Sequence, residues 1–164
     1  LVQNGVTEYG WAFDVCGNRM AYAKRGTGTF LDGKALKIKS NIMTIGEMKG
    51  HFGRLNPEHS DEIRASVKEI FVDRCALHDY LDLLTGKVDF VVHPNFVTPW
   101  DHAALCLMTH EAEGYVAMGD GKFYDPTLFQ RPAFIMAAPN KALWEKLHAA
   151  FYPVLYPAAD HPNA

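Results

Sequence analysis

The sequence predicts a mixed α/β (α+β) fold, in which an antiparallel β-meander runs into strands that alternate with helices. Three observations predict it. Residues 1–40 are rich in aromatic and β-branched residues, with Gly, Asn and Asp at short intervals, a strand-and-turn pattern. Beyond Asn41, short apolar runs alternate with stretches of helical spacing, as in a sheet covered on both faces. The chain has 164 residues, enough for one domain, and its 48% hydrophobic and 21% charged residues argue against disorder.

The elements follow in order. Val6 to Val15 reads as a strand, and Asp14-Val15-Cys16-Gly17-Asn18 supplies a turn. Arg19 to Lys24 alternates, and Gly26-Thr27-Gly28 breaks the run. Thr29-Phe30-Leu31 leads into Asp32-Gly33, the strongest hairpin signal in the chain, and Lys34 to Ser40 alternates as the returning strand. Asn56-Pro57-Glu58 opens a helix, with acids at Glu58, Asp61 and Glu62 favouring its positive end. Ile70 to Val72 is a short strand, Ala76 to Leu84 a helix ended by Gly86, and Val88 to Val92 a buried strand. Pro99 stops any helix approaching it, and Asp101 caps a new one running to about Glu111. Tyr115 to Met118 and Phe134 to Ala138 are strands. Ala142 to Phe151 is a last helix, which Pro153 and Pro157 end. The chain thus divides into a meander over 1–40, a layered α/β part over 41–157 and a tail over 158–164. The meander cannot bury both of its faces alone, so an apolar face and an unpaired edge are expected to stay exposed.

Composition narrows the function. Lys and Arg number 16 against 19 Asp and Glu, a net charge of −3, which leaves no basic excess for a nucleic-acid backbone. No apolar run approaches the roughly 20 residues that span a bilayer. Cys16, Cys75 and Cys106 are widely spaced with no C-x-x-C pair, and free thiols suit a cytoplasmic location. No signal peptide is visible at the start of this sequence. Because the first residue is Leu1 rather than Met, the chain is expected to begin at a processing site or partway through a longer polypeptide.

The most informative segment is Pro99-Trp100-Asp101-His102-Ala103-Ala104. The Asp101 carboxylate stands at a helix start, where the dipole favours negative charge, and the two alanines allow close approach. By chemistry alone it is either a helix cap or a ligand.

Trp100-Asp101-x-Ala103-Ala104 resembles the second signature of the inositol monophosphatase family, the lithium-sensitive, magnesium-dependent phosphatases. Glu111-Ala112-Glu113-Gly114 follows where that family usually has Glu-Ala-Gly-Gly. Gly10-Trp11-Ala12-Phe13-Asp14, the stretch from Met20 to Gly33, and Thr85-Gly86-Lys87-Val88-Asp89-Phe90 resemble its other segments in the same order. The resemblance implies the later part of the family's layered α-β-α-β-α sandwich. It also implies a phosphomonoesterase acting on a small phosphorylated polyol, sugar or nucleotide, homodimeric at full length, with Mg2+ as cofactor and Asp101 as one metal ligand. The family's Glu-Glu pair and Asp-Pro-Ile-Asp-Gly-Thr motif, which carry its other ligands, do not occur here. One carboxylate cannot position two or three ions, so this polypeptide alone is expected to be inactive.

Arg74-Cys75-Ala76 falls where the family has a Gly-Ser/Thr-Ala turn beside the substrate, making Arg74, Cys75 and Ala76 candidate substrate contacts. Arg74 replaces a glycine. Its guanidinium either binds an anion bidentately or pairs with Asp73 or Asp79 at the surface. His93 falls where the family often places a polar residue on the substrate's hydroxyls, and completes the candidates. A rival function is a non-catalytic ligand-binding or regulatory module derived from a degenerate phosphatase half, favoured by Arg74 and Glu113 in place of glycines.

Three further patterns carry less. His102, Cys106 and His110 share one helix face, but its ends lie about 12 Å apart, too far for one ion. Cys106 reads as core, and a two-ligand start from His102 and Cys106 stays open. Gly26-x-Gly28 lacks the third glycine of a dinucleotide fingerprint, having Leu31 there. Asp79, Asp82 and Asp89 read as solvated helix and strand ends.

Overall fold

Turn residues in the left-handed region fold the first part of the chain into hairpins. The computed structural model describes residues 1–41, 44–53, 57–73, 75–94, 97–127 and 134–156, with 57–60 described by backbone alone. Strands β1 (Val2–Gln3) and β2 (Val6–Thr7) pair around Asn4 and Gly5, which both take positive φ. Strands β3 (Tyr9–Asp14), β4 (Arg19–Lys24), β5 (Gly28–Leu31) and β6 (Lys34–Leu36) form an antiparallel sheet in that order. Asp32 and Gly33 turn the last hairpin with φ of 49° and 78°, the two positive values its tight turn requires. Strand β6 stops at Leu36, short of the expected Ser40. The Ile38 N–H has left the ladder and donates to the Ala112 carbonyl at 2.9 Å.

The second part alternates as expected, with one addition. A 3₁₀ turn (Ile45–Glu47) leads into β7 (Lys49–Phe52), then α1 (Pro57–Ser66), β8 (Glu69–Phe71), α2 (Ala76–Thr85), β9 (Phe90–Pro94), α3 (Pro99–Glu111), β10 (Tyr115–Met118), β11 (Phe134–Ala138) and α4 (Lys141–Leu155). The five strands order as β10-β11-β9-β7-β8. Strands β8, β7 and β9 run parallel, while β9, β11 and β10 pair antiparallel. Strand β7 escapes the sequence pattern because Gly50 and His51 interrupt it. Gly50 is nevertheless required, since a Cβ there would stand 2.2 Å from the Phe90 ring.

Further boundaries differ from expectation. Strand β9 begins at Phe90 rather than Val88, because the Lys87 and Val88 N–H groups close the end of α2 on the Asp82 carbonyl. Pro99 begins α3 rather than stopping a helix: the first turn needs no intrahelical N–H, so proline fits there. Thr98 is therefore the N-cap residue, and Asp101 lies inside the first turn instead of capping it. Pro153 sits within α4, which continues to Leu155; its missing donor falls close to the helix end, where the loss is small. The start at Asn56 and the tail over 158–164 lie outside the described residues.

Four layers result. Helices α2 and α3 lie between the two sheets, α3 touching β3, β4 and β5 on one side and β10 on the other. Leu105, Met108, Tyr80, Leu84, Val91 and Ile135 fill this inner core. Helices α1 and α4 pack together, and α4 lies against β10 and β11. That second core holds Phe52, Phe90, Phe134, Trp144 and Phe151. Burial of these large apolar side chains, at about 1.5–3 kcal/mol each, holds the layers together.

Candidate functional site

Parallel strands carry functional residues at their C-terminal ends, where the following helix begins. Here β7, β8 and β9 converge on the start of α2. Alternation along the strands sends Phe52, Phe90 and Val92 toward α4's side of the sheet, and puts Val91 in the core shared with α2. His51 and His93 belong to this second set. Helix α2 brings Asp79 and Asp82 against them, and Asp73 follows β8.

The geometry is close. Asp79 is fully buried. Its Oδ1 lies 3.2 Å from His51 Nδ1, and its Oδ2 lies 3.1 Å from His93 Nε2. Asp73 Oδ2 stands 3.7 Å from His51 Nδ1, on the solvent side. Across the ring, His51 Nε2 is hydrogen-bonded to Asp82 Oδ2 at 3.3 Å, and Lys87 Nζ donates to the other Asp82 oxygen at 2.8 Å. Partial burial opposes ionisation of Asp82, but Lys87 and His51 outweigh it and hold the carboxyl below its ordinary value. His51 Nδ1, His93 Nε2 and both Asp79 oxygens make no hydrogen bond of acceptable angle among the described residues. Single ligand atoms of His51, Asp73 and Asp79 all fall within 4.8 Å of one another.

The imidazoles continue toward α3. The His102 ring meets His93 edge-on at 5.1 Å between centroids, and Tyr80 stacks on His93 at 5.9 Å. Burial, and then the nearby His93, pull the His102 imidazole down to about 4, so it is neutral near pH 7. Cys106 is buried one turn further along, and burial pushes its thiol far up. It is core, as its place on the helix suggested, and a protonated thiol is a poor ligand.

The anticipated residues distribute as follows. Asp101 is exposed on the first turn of α3. Its Oδ2 accepts from Thr98 Oγ1 at 2.5 Å, and Oδ1 accepts from no described residue. Cys75 is the half-buried N-cap residue of α2, and its carbonyl accepts the Asp79 N–H at 3.1 Å. Ala76 is the first residue of that helix. Arg74 lies outside the described residues. His93 is buried against Asp79. His93 meets α2 at Asp79, whose N–H is bonded to the Cys75 carbonyl, and His102, the neighbour of Asp101, touches His93.

The reading of Asp79 as a solvated helix end is overturned. It shares the buried face of α2 with Tyr80, Leu83 and Leu84, so it faces the core. Its placement on that apolar stripe was the available signal. His51 carried none, because β7 was not recognised.

Comparison with known proteins bears on the family and the fold. A sequence model of the inositol monophosphatase family matches residues 1–156. A Thermotoga maritima protein named fructose-1,6-bisphosphatase/inositol-1-monophosphatase is 27% identical over 124 residues, 74% of this chain and 48% of that one. The solved Thermotoga maritima IMPase matches with a TM-score of 0.79 at 23% identity, over 93% of this chain and 59% of that one. An inositol monophosphatase from Anabaena (Nostoc) gives 0.80 at 17% identity, over 98% and 64%. A SaIMPase-II structure with bound inositol monophosphate gives 0.75 at 21% identity, over 97% and 61%. The chain therefore spans less than two thirds of each of these relatives, and its mixed α/β fold matches theirs over that share.

Proposed function

The chain belongs to the inositol monophosphatase family, and from that premise we propose that it is the C-terminal portion of a magnesium-dependent phosphomonoesterase. The substrate class is a small phosphorylated polyol, sugar or nucleotide. The observation that carries this reading is the exposed Asp101 carboxylate, set at the start of a helix held between two sheets, with one oxygen free of described donors. A hard oxygen of this kind fits magnesium. Bound magnesium supplies charge neutralisation at the phosphate and an activated water. The protein's own part is to orient Asp101: Thr98 Oγ1 donates to Oδ2 and leaves Oδ1 without a described donor. His93, Cys75 and Ala76 line the substrate side, and Arg74 stands beside them in sequence. A lone carboxylate does not hold the several ions of this chemistry, so the 164-residue polypeptide is inactive by itself. Lithium sensitivity, a homodimer at full length and a cytoplasmic location accompany this reading. Among the described residues no helix is long and apolar enough to cross a membrane.

The test is magnesium-dependent phosphate release from inositol monophosphate, fructose bisphosphate and adenosine bisphosphate, with and without lithium. The 164-residue chain is expected to release none. A polypeptide spanning the full length of its relatives is expected to be active, and Asp101→Asn should lower its turnover by more than the ~10–100-fold typical of groups that only support a metal site. Unchanged turnover in Asp101→Asn would defeat the assignment.

A second reading, a non-catalytic ligand-binding module, draws on Glu113. This residue takes φ 67°, a conformation glycine adopts freely, and is held there while its carboxylate pairs with Lys37. Full-length protein that binds inositol monophosphate without hydrolysing it would favour that reading.

A further inference from the structure

The buried group around Asp79 is not explained by packing. Burying a carboxylate without matched partners costs several kcal/mol. Asp79 nevertheless has each oxygen about a hydrogen-bond length from an imidazole nitrogen, at angles no N–H satisfies. The tautomer of His51 sharpens the problem. Its one well-formed hydrogen bond is Nε2 to Asp82, which places the proton on Nε2. Nδ1 is then a bare lone pair facing two carboxylate oxygens, at 3.2 Å and 3.7 Å. Three electron-rich atoms converge where one cation would stabilise all of them.

We propose that His51 Nδ1, Asp79 Oδ1 and Asp73 Oδ2 form a three-ligand site for a borderline divalent transition ion of the zinc type. Ligand atoms about 2.0–2.1 Å from a tetrahedral ion lie roughly 3.3 Å apart; His51 Nδ1 stands 3.2 Å and 3.7 Å from the two carboxylate oxygens, and all three atoms lie within 4.8 Å of one another, close enough for an ion to draw them in. Imidazole with carboxylate suits zinc, cobalt or manganese better than magnesium. The surroundings are those of a supported ligand set. Asp82 holds the far nitrogen of His51, as carboxylates behind metal-bound histidines do, and is itself anchored by Lys87. His93 stands against the second oxygen of Asp79. Its ring fits because residue 53 is glycine: a Cβ there would lie 2.4 Å from His93 Nδ1. The Asp73 side chain is about half exposed, so the fourth position opens to water. The site uses none of the oxygens assigned to magnesium above.

The experiment uses the chelator-treated chain with zinc or cobalt chloride as the only added ligand. Calorimetry is expected to show one saturable zinc site, and zinc, but not equimolar magnesium, is expected to raise Tm. Cobalt should give the intense visible bands of a four-coordinate ion. Asp73→Asn, at a half-exposed position that does not threaten folding, should weaken zinc binding about 100-fold. Asp82→Asn should weaken it about 10-fold, at the lower end for a group behind a ligand. His110→Gln, at the exposed end of α3, should leave it unchanged. Equal affinity in wild type and Asp73→Asn overturns the site. So does a cobalt–thiolate charge-transfer band, which would assign the ion to Cys16 or Cys75. Absence of saturable binding also overturns it. No turnover is read, so zinc binding by a chain that releases no phosphate supports the site, whatever becomes of the magnesium assignment.

Discussion

Asp14 shows how one side chain can tie separate parts of the chain. It is buried at the end of β3, and its Oδ1 accepts the Gly17 N–H at 2.9 Å. Its Oδ2 accepts from Arg19 Nη2 at 2.7 Å, and His78 Nε2 of α2 lies 3.2 Å from Oδ1. The Gly17 N–H first, and then Arg19, hold the carboxyl well below its ordinary 3.8 against the opposing effect of burial. The sign follows from linkage. A carboxyl depressed in the folded state contributes stability that is present above its unfolded value and lost as pH falls through its folded one. Wild-type Tm should therefore fall as pH drops from about 5 toward 2, and Asp14→Asn should flatten that fall while lowering Tm near pH 7. An unchanged slope in thermal melts of the variant would remove Asp14 from the acid limb. Asp14 was legible only as a turn residue, because its contact with His78 spans 64 positions and leaves no local pattern. His51 and Asp79 were hidden for the same reason: each is ordinary in its own segment and acquires meaning only where β7 meets α2.

At the scale of elements, the hairpins were the most legible, since Asp32-Gly33 and the alternation over 19–24 are local signals. Helix α2 was also legible, with Gly86 closing it at φ 76°. Prolines were misread because their effect depends on position within a helix, and both Pro99 and Pro153 lie where a lost N–H costs little. Packing between elements left a different trace, a glycine. A Cβ on Gly10 of β3 would stand 2.9 Å from the Ala104 Cα and 3.0 Å from its carbonyl oxygen on α3. Backbone cannot yield as a flexible side chain does. Gly10→Ala should therefore push β3 off α3 and cost about 1–3 kcal/mol, read as a lower urea midpoint. A neutral or stabilising result would mean that the sheet and helix slide apart freely.

Across the whole molecule, the outer face of the first sheet stands out as a row of exposed aromatic side chains among the described residues. Tyr9, Trp11 and Phe13 of β3 alternate outward; Trp11 pairs across to Tyr22 and Phe13 to Met20, and Tyr22 stacks on Phe30 at 5.1 Å. Trp11 remains 56% exposed and Phe13 47%. An apolar surface of this kind seeks a partner. The 164-residue chain should self-associate as its concentration rises, and the double change Trp11→Ser with Phe13→Ser should shift sedimentation velocity toward monomer. A wild-type chain that stays monomeric at high concentration would count against an interaction role for this face.

Helix α3 has another consequence. Its residues wall the first sheet closely and touch β10 of the second: Gly10 of β3 rests on Ala104, Thr29 of β5 donates to the Met108 carbonyl at 2.6 Å, and the Glu111 carboxylate accepts from Gly26 and Gly28. Neither sheet can peel away without stripping this shared wall, so the two are coupled as one cooperative unit. A disturbance entering at the edge of either sheet reaches the other through α3 and through α2 beside it, which also touches both sheets.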